Sequence, residues 1–178
     1  MIKYMSCVIA VAVFTGSING TVHFIEDRDK VKIQINVNGL KKNAKHGFHI
    51  HEAGDLTDNC TSMCAHFNPF NKDHGGPNDY ERHVGDLGNL VTDSNGEAKY
   101  IMYDEIIKLR GDLNIIGRGL IIHEDEDDLG KGGQSDSLIT GHAGKRITCA
   151  VIGYAKENYN KLKNNLSCVM RDDDCNIN

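Results

Sequence analysis

The sequence contains no tryptophan, only two prolines and no block of basic residues. Acidic residues outnumber basic ones by 25 to 20, which gives a formal net charge of -5. Because a nucleic-acid interface needs clustered lysine and arginine, this balance excludes nucleic acid as a partner. No apolar run approaches the roughly 20 residues that cross a bilayer, so we expect no membrane partner either.

The six cysteines are too few for a dense disulfide scaffold, and they lack the CxxC spacing of a zinc finger. Their number leaves the redox compartment undecided. With 178 residues the chain is long enough for one domain with a full hydrophobic core. We predict one domain over residues 1–155, followed by a polar C-terminal extension over residues 156–178 in which Cys168 and Cys175 either pair or stay free.

The apolar run within residues 1–14 has two interpretations. Its β-branched residues favour a first β-strand, and the turn residues Thr15-Gly16-Ser17 follow it. The alternative is that residues 1 to about 20 form a signal peptide and that the protein is secreted. We favour the strand and a cytoplasmic protein, because cleavage would remove an element that the sheet needs.

Short apolar runs recur along the chain with turn residues between them. Residues 31–37 alternate strictly between apolar and polar side chains, which indicates a strand with one buried and one wet face. The segment 93–96 has hairpin-turn chemistry. Eight runs are strand candidates, at residues 7–14, 21–25, 31–37, 46–51, 83–90, 98–103, 113–122 and 147–154. Without a long amphipathic helix, they predict an antiparallel all-β barrel or sandwich.

Six of the nine histidines lie in one segment, which Asp86 closes. They are His46, His49, His51, His66, His74 and His83. Alternate side chains of a strand share a face, so His49 and His51 would direct two imidazoles to one point. The irregular loop that follows can fold further ligands back toward them. Imidazole suits zinc, copper, iron and nickel, so the segment predicts a metal site.

Two connections are unusually long, at roughly residues 52–82 and 123–146. Structureless loops of that length inside a compact domain are usually functional or disordered. The first loop holds most of the histidines, and the second opens with His123. We therefore expect the two loops to meet at one site.

Four stretches resemble the copper-zinc superoxide dismutase family: GFHIHEAGD (47–55), HFNPFNKDHGGPNDYERHVGDLGN (66–89), IIGRGLIIHEDEDDLGKGG (115–133) and TGHAGKRITCAVIG (140–153). The resemblance runs from residue 7 to residue 155. It implies an eight-stranded antiparallel Greek-key β-barrel with two long functional loops. It also implies a homodimeric antioxidant enzyme that converts superoxide to oxygen and hydrogen peroxide, with a copper chaperone as a candidate partner.

The resemblance further implies one copper ion and one zinc ion per chain. The copper ligands would be His49, His51, His66 and His123. The zinc ligands would be His66, His74, His83 and Asp86. His66 belongs to both sets, because an imidazole that loses both ring protons can bridge two metals. Copper would alternate between Cu(II) and Cu(I) while His66 takes up and releases a proton, and zinc would stay redox-silent.

The family pattern assigns an outer layer of residues as well. Asp127 would accept hydrogen bonds from a copper-side and a zinc-side histidine, His49 and His74. By composition alone Asp127 is one acid in a solvated acidic run. Arg146 would attract and orient the anion beside copper, and Thr140 would form the other wall of the channel.

The resemblance also pairs Cys60 with Cys149 in an intrachain disulfide that ties the metal loop to the last strand. Cys64 lies close by and could mispair with Cys149 or compete for metal, although an idle thiol is the simpler interpretation. The family's dimer surface would map onto Gly54, Ile116, Gly117, Val151, Ile152 and Tyr154.

The chain departs from the family where steering charges are expected. Asp125 and Ile139 stand at positions where many members carry lysine, which predicts weaker electrostatic steering of the anion. His142 stands where a small polar residue is common, and it receives no role. A non-catalytic copper-binding or copper-delivery module of the same fold is the alternative function. Such modules tend to lose copper ligands or the channel arginine, whereas this chain keeps both.

Overall fold

The computed structural model describes residues 8–156, which form nine strands and two short helical turns. The strands are β1 (Ile9–Phe14), β2 (Asn19–Asp27), β3 (Lys30–Asn38), β4 (Lys45–His51), β5 (Asp86–Val91), β6 (Ala98–Asp104), β7 (Gly119–His123), β8 (Arg146–Val151) and β9 (Gly153–Tyr154). A 3-10 turn covers Thr61–Met63, and the helix α1 covers Ser137–Thr140. The tail cysteines Cys168 and Cys175, with nearly all of the predicted extension, lie outside the described residues. Within residues 8–156, no helix has the length and apolar character needed to cross a membrane.

Two antiparallel sheets face each other. One has the strand order β6-β3-β2-β1-β9 and the other the order β5-β4-β7-β8. Their inner faces enclose one apolar core, to which β3 contributes every second residue from Val31 to Val37, each at most 1% exposed. Burying a Val or Ile side chain stabilises the fold by roughly 1.5–3 kcal/mol. The antiparallel all-β architecture predicted from the alternation is confirmed.

The N-terminal apolar run is an integral part of the larger sheet. β1 pairs with β2 on one side and with β9 on the other. Its residues Ala10, Ala12 and Phe14 are at most 2% exposed in the core. The strand interpretation of this run is therefore the one that the structure adopts.

The last apolar run differs from the prediction, because it crosses from one sheet to the other. Its first part, β8, pairs with β7, and its second part, β9, pairs with β1. Between them the backbone of Ile152 bonds to the loop before β7, with Ile152 N–H donating to Arg118 O and Gly117 N–H donating to Ile152 O. Eight predicted runs thus become nine strands.

Two other predicted strands are too long. The run 113–122 contributes a strand only from Gly119, because Asn114 accepts turn hydrogen bonds from the N–H of Ile116 and the side chain of Arg118. The run 83–90 becomes extended only at Asp86, since the Asp86 carboxylate accepts the backbone N–H of His83 and curls residues 83–85 around it. The first long loop therefore covers residues 52–85, and the second, which follows β7, covers residues 124–145.

Candidate metal centre

The strands β4 and β7 lie side by side and bring three histidines to one place. His49 and His51 point away from the core, whereas Ile50 between them points into it. β7 pairs with β4 and ends at His123. A bridge between His51 and His66 brings the start of the first long loop against β4. The strand alternation predicted for His49 and His51 is thus present, and the loop folds back as expected.

Four buried histidines form a first group, the copper-side group: His49, His51, His66 and His123. One ring nitrogen of each lies within 4.8 Å of those of the other three. The nitrogens His49 Nδ1, His51 Nε2, His66 Nε2 and His123 Nε2 are buried and have no hydrogen-bond partner in the protein. A buried polar atom without a partner costs about 1–3 kcal/mol, so four such nitrogens meeting at one point fit a bound cation. An all-imidazole donor set suits copper.

The opposite ring nitrogens of three of these histidines are anchored. His51 Nδ1 lies 2.9 Å from Cys64 O, and His123 Nδ1 lies 3.2 Å from Gly144 O. His49 Nε2 lies 2.8 Å from Asp127 Oδ2. Since each anchor is an acceptor, it holds the ring proton on the outer nitrogen and leaves the inner nitrogen free to bind a metal.

Three histidines and one carboxylate form a second group, the zinc-side group: His66, His74, His83 and Asp86. Asp86 Oδ1 lies 2.9 Å from His66 Nδ1 and 3.1 Å from His83 Nδ1. Asp86 Oδ2 lies 3.0 Å from His74 Nδ1. Three imidazoles and one carboxylate are a common ligand set for tetrahedral zinc.

His66 is shared by the two groups. Its Nε2 is one of the unpartnered nitrogens of the copper-side group, and its Nδ1 faces Asp86 in the zinc-side group. Its ring centroid lies 4.1 Å from that of His49 and 5.4 Å from that of His83. The two donor sets are therefore separated by the width of one imidazole ring.

Asp127 links the two groups from the outside. Its Oδ2 accepts from His49 Nε2 and its Oδ1 from His74 Nε2, both at 2.8 Å. The amide of Asn89 on β5 holds the backbone of Asp127 through bonds of 2.8 and 2.9 Å. Asn89 is a site residue that was not predicted from the sequence, where its one signal is a polar side chain among the small and apolar residues after Asp86 in β5.

Burial sets the protonation states of the copper-side group. It lowers the pKa of His49 to about 3 and that of His123 to about 4, and the nearby His66 contributes to both shifts. The pKa values of His51 and His66 are also lowered, again chiefly by burial. All four rings are consequently neutral at neutral pH, which is the form that binds metal.

His74 in the zinc-side group shows the opposite shift of its pKa, because two carboxylates contact its ring. Burial alone would lower the pKa of His74, but its hydrogen bonds to Asp127 and Asp86 raise that pKa to about 9. Burial opposes ionisation of Asp86, yet hydrogen bonds from His66, His74 and His83 hold its pKa below the usual range. Burial likewise opposes ionisation of Asp127, whose pKa the bonds from His49 and His74 lower to about 2.

Arg146 opens β8 opposite His123 on β7. Its Nη1 donates to Cys60 O at 2.6 Å, and its Nη2 donates to Cys64 O at 2.5 Å. The predicted disulfide between Cys60 and Cys149 is present and ties this same loop to β8. The guanidinium is therefore held by the loop that the disulfide fastens.

Cys64 is a free, exposed cysteine with an unexpected backbone role. Its carbonyl accepts from both His51 Nδ1 and Arg146 Nη2, so one peptide joins a copper-side histidine to the arginine. Its φ of 63° and ψ of -147° lie in a region that glycine normally occupies. This backbone role was not predicted from the sequence, in which only the thiol of Cys64 attracts attention.

Arg82 is a second residue that the sequence analysis missed. It is 2% exposed, and its Nη1 donates to the backbone carbonyl of Asp86 at 2.7 Å. Its Nη2 bonds to Asp104 Oδ2 at 2.6 Å. This buried arginine thus fixes the main chain of Asp86, a residue of the zinc-side group. An arginine four residues before Asp86 in the sequence does not by itself predict such a role.

Three comparisons with known proteins give a consistent answer. A sequence model described as "Copper/zinc superoxide dismutase (SODC)" matches residues 18–152. A "Superoxide dismutase [Cu-Zn]" of Paramecium bursaria Chlorella virus 1 is 65% identical over 150 residues, which are 84% of this chain and 80% of that protein.

Two further relatives extend the comparison. An "Extracellular superoxide dismutase [Cu-Zn]" of Drosophila melanogaster is 52% identical over 138 residues, which are 76% of each chain. The solved structure of the clock protein EA4 superposes with a TM-score of 0.82 at 43% identity and covers 87% of this chain and 99% of its own. With two donor groups sharing His66 on an antiparallel β fold, this chain belongs to the copper/zinc superoxide dismutase family.

Proposed function

We propose that this chain disproportionates superoxide at a copper site formed by the copper-side group, with zinc held by the zinc-side group. The observation that carries the proposal is His66, which directs one ring nitrogen into each donor set. Copper, when bound, supplies one-electron chemistry by alternating between Cu(II) and Cu(I). Zinc has no redox chemistry and suits the closed set around Asp86.

The protein's own contribution to the reaction starts with the proton. Nε2 of His66 is buried and unpartnered, whereas Nδ1 is engaged with Asp86. The ring can therefore hold a proton at Nε2 without losing its orientation and deliver it to the reduced product. Asp127 keeps the rings of His49 and His74 in one tautomer during this exchange.

Arg146 is proposed to receive the anion. Its guanidinium is half-buried and fixed by three backbone carbonyls, so little conformational freedom is lost when an anion binds. Thr140, at the end of α1, is proposed as the other wall of the channel. Gly141 next to it lies against Asp127 and His74, where any side chain would collide.

A homodimer is part of the proposal. The proposed surface includes Tyr154, which is 74% exposed, together with half-buried Ile116 and Val151. Ile152, assigned to this surface in the sequence analysis, is 0% exposed, so its side chain belongs to the core instead. A light-scattering mass equal to two chains is the expected result, and a mass equal to one chain would contradict the dimer.

We further propose that the chain keeps residues 9–14 in its mature form and acts in the cytoplasm, where a copper chaperone is a candidate partner. Removal of residues 1 to about 20 would delete β1, which lies between β2 and β9. The intact mass of protein purified from its native cell tests this proposal, since loss of about 20 residues would support secretion.

The alternative is a copper-delivery module of the same fold. The complete ligand sets and the fixed Arg146 favour the enzyme, because delivery needs neither an anion site nor a proton-holding His66. The test is metal analysis combined with a superoxide-decay assay, before and after selective copper removal. One copper and one zinc per chain are expected, with activity lost and regained with copper. Copper binding without superoxide decay would favour the delivery module.

A further inference from the structure

The segment 141–144 covers the metal centre with almost no side chains. Gly141 lies against Asp127 and His74, and Ala143 is 0% exposed. The carbonyl of Gly144 faces His123 Nδ1 at 3.2 Å. His142 is the exception, because its large side chain points outward and is 57% exposed. Since the side chain of His142 is mostly exposed, packing does not explain a bulky titratable residue at this position.

His142 contacts a carboxylate that also touches the proposed channel wall. His142 Nδ1 lies 2.7 Å from Asp136 Oδ1. The hydroxyl of Thr140 donates to the other oxygen, Asp136 Oδ2, at 3.3 Å. The hydrogen bond to His142 lowers the pKa of Asp136, so this carboxylate is ionised at neutral pH. A negative charge therefore lies next to Thr140, and His142 is the group positioned to cancel it.

Other charged groups lie around this segment, several of them with partners. Asp125 lies against Gly144, and the N–H of Glu124 bonds to the carbonyl of exposed Lys145. Asp128 accepts the hydroxyl of Ser137. Glu126 pairs with Lys45 at 2.6 Å, while Arg146 is bound to backbone carbonyls. Within residues 8–156, His142 is the one basic side chain that lies within ion-pair distance of Asp136.

We propose that His142 determines how readily the anion enters: when protonated, it cancels the charge of Asp136 beside Thr140, and when neutral, it leaves that charge to repel superoxide. This inference rests on the proposed function, in which Thr140 and Arg146 wall the channel. It assigns to His142 and Asp136 part of the steering that lysines at the positions of Asp125 and Ile139 would otherwise provide.

The expected size follows from Coulomb's law. A unit charge about 10 Å from an anion in water changes its energy enough to alter the encounter rate about twofold. The effect should disappear at an ionic strength of about 1 M, where the screening length falls to about 3 Å. The signature is thus a pH-dependent association rate that salt suppresses.

The experiment measures catalysed superoxide decay per bound copper, with both metals loaded, at about pH 6 and about pH 8.5 and at low ionic strength. His142→Gln should equal the parent at the higher pH and be about twofold slower at the lower pH. His142→Lys should be about twofold faster than the parent at the higher pH only. Asp136→Asn should be faster than the parent at the higher pH, because it removes the repelling charge.

A matched control is Lys99→Gln, which removes one positive charge from an exposed residue of β6 in the other sheet. It should leave the ratio of the two rates unchanged. If the parent is active but His142→Gln matches it at both pH values, the inference on His142 fails while the proposed function stands. If the fully loaded parent does not accelerate superoxide decay at all, the proposed function fails and this inference with it.

Discussion

The two faces of His66 show how one side chain can serve two different environments. On the Nε2 side, four neutral imidazoles meet without any carboxylate among their donor atoms. On the Nδ1 side, ionised Asp86 lies within 3.1 Å of three imidazole nitrogens. A site without a fixed counter-charge suits an ion that changes its charge, whereas a site with one suits an ion of constant charge. The protein separates the two roles by placing the carboxylate on one side only.

The largest effect should come from removing a ligand of one donor group while the other group stays intact. His123→Ala removes a nitrogen that belongs only to the copper-side group, so we expect loss of copper and a fall in superoxide decay of at least about 100-fold, with zinc retained. Metal analysis with the decay assay measures both. Asp86→Asn is the matched partner, which should reduce zinc first. Equal loss of both metals in both variants would contradict separate roles.

A smaller effect is expected from the carboxylate that joins the faces. Asp127→Asn should weaken both metals by about 10–100-fold, since loss of an outer hydrogen-bond partner usually costs that much affinity. Competitive titration with a chelator measures the two affinities. Asp125→Asn is the control, because Asp125 is exposed two residues away and contacts neither His49 nor His74. A loss confined to one metal would show that Asp127 serves one face only.

Removal of the disulfide should affect the copper face through Arg146. Cys149→Ser should lower the free energy of unfolding by up to about 4–5 kcal/mol, because the bond closes a loop of 89 residues. The loop carbonyls that hold Arg146 should then loosen, and superoxide decay per bound copper should fall. Chemical denaturation and the decay assay test the two parts. Cys64→Ser is the control, since Cys64 forms no disulfide within residues 8–156 and its carbonyl remains.

In the metal-free protein, the stability against unfolding should depend on pH in two opposite ways, one set by His49 and His123 and the other by His74. Folding lowers the pKa of His49 to about 3 and that of His123 to about 4, against 6.5 in the unfolded chain. As pH falls below 6.5, the unfolded chain therefore binds protons that the folded protein does not, and stability decreases with falling pH. The raised pKa of His74, about 9, means that its stability is present below 6.5 and is lost as pH rises through 9.

We therefore expect the urea midpoint of the metal-free protein to be highest near pH 6.5. A midpoint that rises steadily from low to high pH would contradict the opposite pKa shifts of His74 and of the histidines His49 and His123.

The smallest effect concerns salt. Because Asp125 and Ile139 replace expected lysines, activity should fall only gently with rising ionic strength. Decay rates at about 0.01 M and 0.15 M salt measure this, and a steep fall would show that other cations steer the anion.

Much of the fold could be predicted because strand alternation is a local property. The pattern of residues 31–37 and the hairpin at 93–96 both appear where expected. At Ile152 the error has a tertiary cause, because the backbone of this residue bonds to the loop before β7, more than 30 residues earlier in the chain. At His83 the cause is a local polar contact, since its N–H bonds to the Asp86 carboxylate three residues on, which a search for apolar runs does not register.

At the site, too, some features could be predicted from the sequence and others could not. The sequence by itself determined the residue types, the strand dyad of His49 and His51, and the family pattern that singles out His66. Only the tertiary structure decided which ring nitrogen faces which group, that the Cys64 carbonyl joins His51 to Arg146, and that Arg82 holds the backbone of Asp86. The physical reason is that hydrogen bonds and burial act through space, between atoms that in this site lie as far as 86 residues apart along the chain.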